Sequence, residues 1–277
     1  MTISTAPAPL AAEAPATAAP ARGNRLGSWL IFVVVALYFL IPLAATFYWS
    51  LRAEKGVLGF EAYRRLFVDT RFLPAFSESI VNAVVAIFLS LLIIVPTAYW
   101  VTLRLPGLRP VVEFISLLPF VVPAVVLVFA LIRLYSRPPL LLTATYGSSR
   151  VVLVCAYAAL SFPYMFRSVD NGLRAMDVRA LTEAAQGLGA SWVTILREII
   201  FPNLRVALLS GALLTFAIVI GELTIALFMA QHTLGPYMAD LTRSKVYEPS
   251  AMAVVAFAIT WAAMGLIAYI SRERKRP

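Results

Sequence analysis

Six apolar stretches limit what this chain can become: Trp29 to Leu51, Ser79 to Leu103, Val111 to Tyr135, Arg150 to Phe166, Leu204 to Ala230 and Ser250 to Ile270. A helix needs about 20 mostly apolar residues to cross a hydrocarbon core about 30 Å thick. Arg150 to Phe166 is the shortest of the six. Inside lipid every backbone N–H and C=O must be bonded within the protein, which leaves helices or a closed barrel. Barrel strands are about 9–11 residues of alternating polarity, and these unbroken runs exclude them. The expectation is an all-α membrane protein with six transmembrane helices. Composition agrees: 61% of the residues are hydrophobic and 13% charged, against about 45–50% and about 25% in soluble domains.

The net charge of +9 would point to nucleic acid in a soluble protein. Here the basic residues border the spans or fill the end SRERKRP, which membrane lipid and the orientation bias of insertion explain; no nucleic-acid partner is expected. Six spans put both termini on one side. Arg22 and Arg25 before the first span, Arg104 and Arg109 in the second loop, and Arg272, Arg274, Lys275 and Arg276 after the last place that side in the cytoplasm. The first outer loop works against this with five basic residues, accompanied by four acidic ones. Within it, Phe60, Tyr63, Leu66 and Phe67 recur at helical spacing and predict a short helix on the outer membrane face. Residues 1–25, rich in Ala, Pro and Thr, are read as a disordered cytoplasmic tail rather than a signal peptide, and 26–277 as one transmembrane domain.

This orientation makes Arg167 to Asn203 the longest cytoplasmic loop. Asp177 is placed to cap a helix starting at Val178, Gly187 and Gly189 offer the left-handed backbone that ends it, and Ser191 caps a second helix. Pro202 either terminates that second helix or opens the fifth span. On the first helix Leu181, Ala184 and Ala185 share one face and Arg179 and Glu183 another. Read from the residues alone, this is either an amphipathic connector packed on the bundle or a surface offered to a partner.

The spacing Glu183-Ala184-Ala185, three residues, Gly189, nine residues, Ile199, two residues, Pro202 resembles the EAA signature of permeases in binding-protein-dependent ABC importers. The flanking LRAMD and LGASW are similar as well. The family's Ile-x-Leu-Pro ending stands here as Ile199-Ile200-Phe201-Pro202, with Phe for Leu. The resemblance implies the type I ABC importer permease (MetI-like) fold, with a cytoplasmic coupling helix within 177–202, between spans 4 and 5. It further implies a bacterial inner-membrane subunit working with two cytoplasmic ATP-binding subunits, a second permease subunit and a periplasmic or extracellular substrate-binding protein. Carried over residue by residue, Glu183, Ala184 and Ala185 are the contact to the ATPase, Gly189 the turn, and Ile199 and Pro202 the link to the fifth span. Among such importers the chain most resembles the spermidine and putrescine group, so a polyamine-like solute is expected, with ferric iron, thiamine or phosphonate as alternatives.

The chain has no G-x-x-x-x-G-K-[ST] loop for nucleotide phosphates, so ATP hydrolysis is expected on partner subunits and no cofactor is expected here. Glu222 is an acid deep within a span. Such residues are costly in lipid and either line a pathway or bond another helix, and both readings stay open. Pro96, Pro119, Pro123 and Pro163 fall within spans and are expected to kink them. Cys155 is read as a small buried residue and His232 as a loop residue; no role is assigned to Thr233-Leu234-Gly235-Pro236. A membrane-embedded enzyme would need a second intramembrane acid or a His cluster, and a gradient-driven transporter internal symmetry; the sequence displays neither.

Overall fold

The computed structural model describes residues 25–54 and 57–272. Expectations for residues 1–24 and for Arg274, Lys275 and Arg276 lie outside them. Among the described residues every regular element is helical: α1 (Arg25–Ser50), α2 (Glu61–Val68), α3 (Phe72–Leu103), α4 (Arg109–Val121), α5 (Ala124–Tyr135), α6 (Tyr146–Arg174), α7 (Val178–Gly187), α8 (Trp192–Thr194), a π-helical segment (Ile195–Ile200), α9 (Phe201–Gly221), α10 (Thr224–Phe228), α11 (Leu234–Ser244) and α12 (Glu248–Arg272).

The chain divides into two units, Met1–Ala45 and Thr46–Pro277. The first holds most of α1, apolar on all sides and exposed from Trp29 to Leu43 except at Ala36. The second unit holds all that follows.

Among the described residues four helices are long and apolar enough to cross a membrane: Gly27–Ser50, Phe72–Leu103, Tyr146–Arg174 and Trp192–Gly221. The third stretch expected from the sequence, Val111 to Tyr135, is instead two helices bent by 95°. The cause is local. A residue before proline is pushed out of the helical region, and Val122 is extended (ψ 125°) before Pro123, which heads α5. Pro123 therefore breaks a helix, whereas Pro96, Pro119 and Pro163 lie inside theirs. The last helix, α12, is 25 residues long and takes in the whole sixth stretch, Ser250 to Ile270.

The fifth stretch also differs from expectation at both ends. Its helix is continuous from Trp192 and stops at Gly221, not Ala230, because Glu222 turns extended (ψ 125°). Pro202 does not end the helix entering the span. The ladder widens just before it into the π segment, where Phe201 N–H bonds the Leu196 carbonyl. A wider turn admits a residue with no N–H and a bulky ring, and the Asn203 amide donates to the Ile199 carbonyl at 2.8 Å.

Helix α6 is central and packs on both α3 and α9. It starts with a capping box in which Thr145 and Ser148 satisfy each other's backbone. Midway, the fully buried hydroxyls of Ser90 and Ser161 bond at 2.7 Å, a polar tie between α3 and α6. Toward α7 the core is Tyr99 with Met165, Phe166, Ile195, Ile200 and Leu204. At the opposite end Leu66, Phe72, Leu234, Tyr237, Leu241 and Met252 fasten α2 and α11 to the bundle.

Candidate functional site

Helix α7 begins as expected: Asp177 Oδ1 accepts from Ala180 N–H at 3.1 Å. Its inward face is Val178, Thr182 and Ala185, all buried. Thr182 donates to the Val178 carbonyl (2.7 Å), which leaves the Tyr99 hydroxyl to donate to Thr182 at 3.0 Å. This bond ties α7 to α3 across 83 residues of sequence. Glu183 and Ala184 are exposed while Ala185 is 7% exposed and belongs to the core. The face expected to hold Leu181, Ala184 and Ala185 together is thus divided. Of the three EAA residues only the first two reach the surface, because Ala185 sits one turn from Thr182 and two turns from Val178 on the packed side.

The turn after α7 has a single geometry. Gly189 is left-handed (φ +80°), its N–H bonds the Gln186 carbonyl at 2.9 Å, and Ala190 N–H bonds the Ala185 carbonyl at 3.0 Å. These are the two bonds of a Schellman stop. Gly187 remains helical. Leu188 at the tip is 90% exposed. Ser191 then accepts from Thr194 N–H at 3.2 Å to start the next helix; Ile199 packs against the core and Pro202 is exposed.

Beside this segment α4 and α6 are tied by charge. Arg109 bonds Asp170, which also takes Arg174 at 3.3 Å, and Arg167 approaches Glu113 at 4.0 Å.

Glu222 lies where α9 ends. Its carboxylate accepts from the backbone N–H of Ile225 (2.8 Å) and Ala226 (3.2 Å) and from the Tyr157 hydroxyl (3.1 Å). Three donors account for the charge, and the reading as an internal structural bond describes this arrangement. Gly235 completes it. A Cβ there would strike the Glu222 carbonyl oxygen and come within 2.8 Å of Leu223 Cα, so only glycine lets α11 lie on the break. No sequence signal near Gly235 pointed to this, since the contact joins backbones.

At the same end a polar network crosses elements. Asp69 accepts from the Arg71 backbone (2.9 Å) and side chain and from the Tyr237 hydroxyl (3.1 Å). Burial, the largest single influence on Asp69, raises its pKa, but these donors together outweigh it and hold the carboxyl below its ordinary range. Burial, then the neighbouring Asp69 charge, pushes Tyr237 up to about 12. Glu61 is held low by Arg64 and then Arg65, and Arg65 also reaches Glu248 at 3.7 Å. Tyr146 donates to Glu78 at 2.5 Å, and Arg150 donates to Asn82 at 2.7 Å.

His232, expected as a loop residue, stacks on Tyr146 (centroids 5.3 Å apart), and its backbone N–H donates to that hydroxyl. Cys155 corrects an expectation: it is exposed, not buried. It lies on the outward side of α6 in an apolar hollow with Val151 and Leu118, where sequence polarity cannot tell a packed face from one turned to lipid.

The bundle, its bent helix pair and the capped α7 between α6 and the Trp192–Gly221 helix have the fold of type I ABC importer permeases. A chain of a bacterial ABC transporter importing the acidic polysaccharide alginate superposes with a TM-score of 0.71 at 12% identity, covering 91% of this chain and 96% of that one. The MetNI methionine ABC transporter in inward-facing form gives 0.57 at 20% identity, covering 74% and 96%. At such identities the likeness is one of fold. Membership comes from the sequence: the chain belongs to the family of binding-protein-dependent transport system inner membrane components, which it matches over residues 104–276. It is similar to a probable molybdenum ABC transporter permease of Haloferax volcanii (28% identity over 205 residues, 73% of each chain). The sulfate permease CysT of Salmonella typhimurium is 28% identical over 226 residues (74% of this chain, 73% of that one). The spermidine/putrescine permease PotC of Haemophilus influenzae is 40% identical over 78 residues, 28% of this chain and 30% of that one.

Proposed function

We propose that this chain is the membrane-spanning subunit of an ATP-driven importer, passing a small charged solute from an external binding protein to the cytoplasm by alternating access. Its partners are two cytoplasmic ATP-binding subunits and a second permease subunit, and both of its termini face the cytoplasm. The observation that carries the reading is the α7 segment. It is anchored inward through Thr182 and Ala185 and presents Glu183, Ala184 and Leu188 outward. It also leads, through the turn at Gly189, into one helix of 30 residues, Trp192–Gly221. At about 1.5 Å per residue such a helix is on the order of 45 Å long, enough to carry a displacement of the docked segment across the membrane. Ile199 and Pro202 mark where this lever enters the bundle.

Crosslinking tests the docking. An Ala184→Cys variant, made with Cys155→Ser because Cys155 is exposed, is expected to crosslink to the ATP-binding subunit. Absence of a crosslink in every nucleotide state refutes the contact.

For the solute, the polyamine reading is supported by the short, more identical match to a spermidine/putrescine permease. Glu222 adds nothing to either reading, since its carboxylate is engaged by Tyr157 and two amides. An oxyanion is the second reading, favoured by the longer matches to molybdenum and sulfate permeases. Mass spectrometry of the ligand carried by the partner binding protein separates the two.

A further inference from the structure

Where α3 meets α7 the surface folds into a cavity of about 230 Å³, lined by Tyr99, Trp100, Arg104, Arg179, Glu183 and Trp192 among others. It is smaller than the roughly 300–1,000 Å³ of pockets that enclose a whole drug-sized ligand. Its wall is aromatic: the Trp192 ring lies 6.1 Å from Trp100 and 6.3 Å from Tyr99. Trp100 and Trp192 are half exposed, at 45% and 38%, as side chains of a membrane–water belt are.

Like Arg197 and Arg205, the two arginines have no ion-pair partner among the described residues; what sets them apart is that they share one cavity. Arg109, Arg167 and Arg174, at the same end, are each paired with a carboxylate. The side chains of Arg104, which terminates α3, and Arg179, in the first turn of α7, make no hydrogen bond or ion pair among the described residues, and both line this one cavity. With Glu183 in the same lining the local charge is two positive and one negative, a net of one positive. That matches a single phosphodiester.

We propose that this cavity binds the phosphodiester headgroup of a membrane phospholipid, with Arg104 and Arg179 on the phosphate and Trp100 and Trp192 against the glycerol and upper acyl carbons. Arginine forks suit phosphate oxygens, and unpaired cations at a membrane surface attract anionic lipid. A lipid seated there bridges α3 to α7. The consequence for transport rests on the coupling role proposed above; headgroup binding does not.

The test uses the intact transporter complex in nanodiscs of phosphatidylcholine containing phosphatidylglycerol, released into native mass spectrometry. Wild type is expected to retain phosphatidylglycerol, and Arg104→Gln with Arg179→Gln to lower retention by about fivefold per arginine. Arginine-to-lysine at both sites should restore part of it. Arg197→Gln, which removes an exposed charge from the same end but outside the cavity, should retain lipid as wild type does. Equal retention by wild type and the double variant overturns the proposal, and so does an equal loss in Arg197→Gln, which would mark general surface charge. Displacement of the lipid by soluble glycerol phosphate at comparable concentration also overturns it, by assigning the site to a free phosphate. Unfolding temperature, unchanged in the double variant, separates lost binding from lost structure. Lipid retained without any crosslink at position 184 refutes only the docking reading.

Discussion

The two ends of the bundle treat polar groups in opposite ways. At the α11 end, Asp69, Arg71 and Tyr237 are joined to one another, Glu222 is held by three donors, and Arg65 bridges Glu61 and Glu248. At the α7 end, Glu183 and Ala184 stand exposed, Leu188 offers an apolar tip, and Arg104 and Arg179 face a cavity unpaired. The first end pairs these charged groups within the chain, although Asn82 Nδ2, Gln231 Oε1 and Thr233 Oγ1 stay buried there without a partner among the described residues; the second pairs Arg109 and Arg174 with Asp170 but leaves Arg104 and Arg179 for something else to satisfy. The difference predicts where substitutions damage the fold and where they damage only association.

The largest effect is expected at Glu222. Glu222→Ala removes the acceptor for two backbone amides and strands the Tyr157 hydroxyl, which should lower stability by about 2–4 kcal/mol in denaturant titrations in detergent. Glu222→Gln keeps one carbonyl acceptor and should cost about 1 kcal/mol. If Glu222→Gln unfolds as wild type does yet transport falls sharply, the acid serves the pathway rather than the break. Next is Gly235→Ala, whose methyl meets backbone that cannot rotate away. A loss of about 1–3 kcal/mol is expected by the same titration, with the position-184 crosslink intact.

Gly189→Ala moves the test to the other end. An L-residue at φ +80° costs about 1–2 kcal/mol, with nothing within 4 Å to clash. Global unfolding should shift little beyond that, while solute uptake coupled to ATP hydrolysis should fall more steeply. Uptake that tracks stability alone would erase the contrast between the ends.

The smallest effect is the pH dependence of the α11 end. Asp69 titrates below its ordinary 3.8 in the fold, so its contribution is complete above that value and lost as pH falls through the lower, folded one. Tyr237 moves the other way, from 10.0 to about 12, so its contribution is complete below pH 10 and lost as pH rises toward 12. Unfolding temperature against pH should therefore fall in both arms, and Asp69→Asn should flatten the acid arm and shrink the alkaline one.

Much of α7 was legible because its signals are local: Asp177 and Ser191 cap amides within three residues of themselves, and Gly189 sits where a helix must stop. Its inward face was not, since Ala184 and Ala185 are chemically alike and only the position of Val178 and Thr182 against Tyr99 decides which is buried. Glu222 looked like a solitary acid in lipid because the amides it caps exist only once α9 has stopped and α10 has begun. Cys155 shows the same blindness in an apolar setting: hydropathy marks a helix for the membrane without marking which side faces protein.

By itself the sequence determined that this chain is a set of apolar helices with a capped polar segment between the fourth and fifth, because span length, backbone satisfaction and capping depend on neighbours along the chain. The tertiary structure decided which of the EAA residues face outward and that Arg104 and Arg179 share one cavity. Those outcomes depend on groups tens of residues apart in sequence, brought together only by packing.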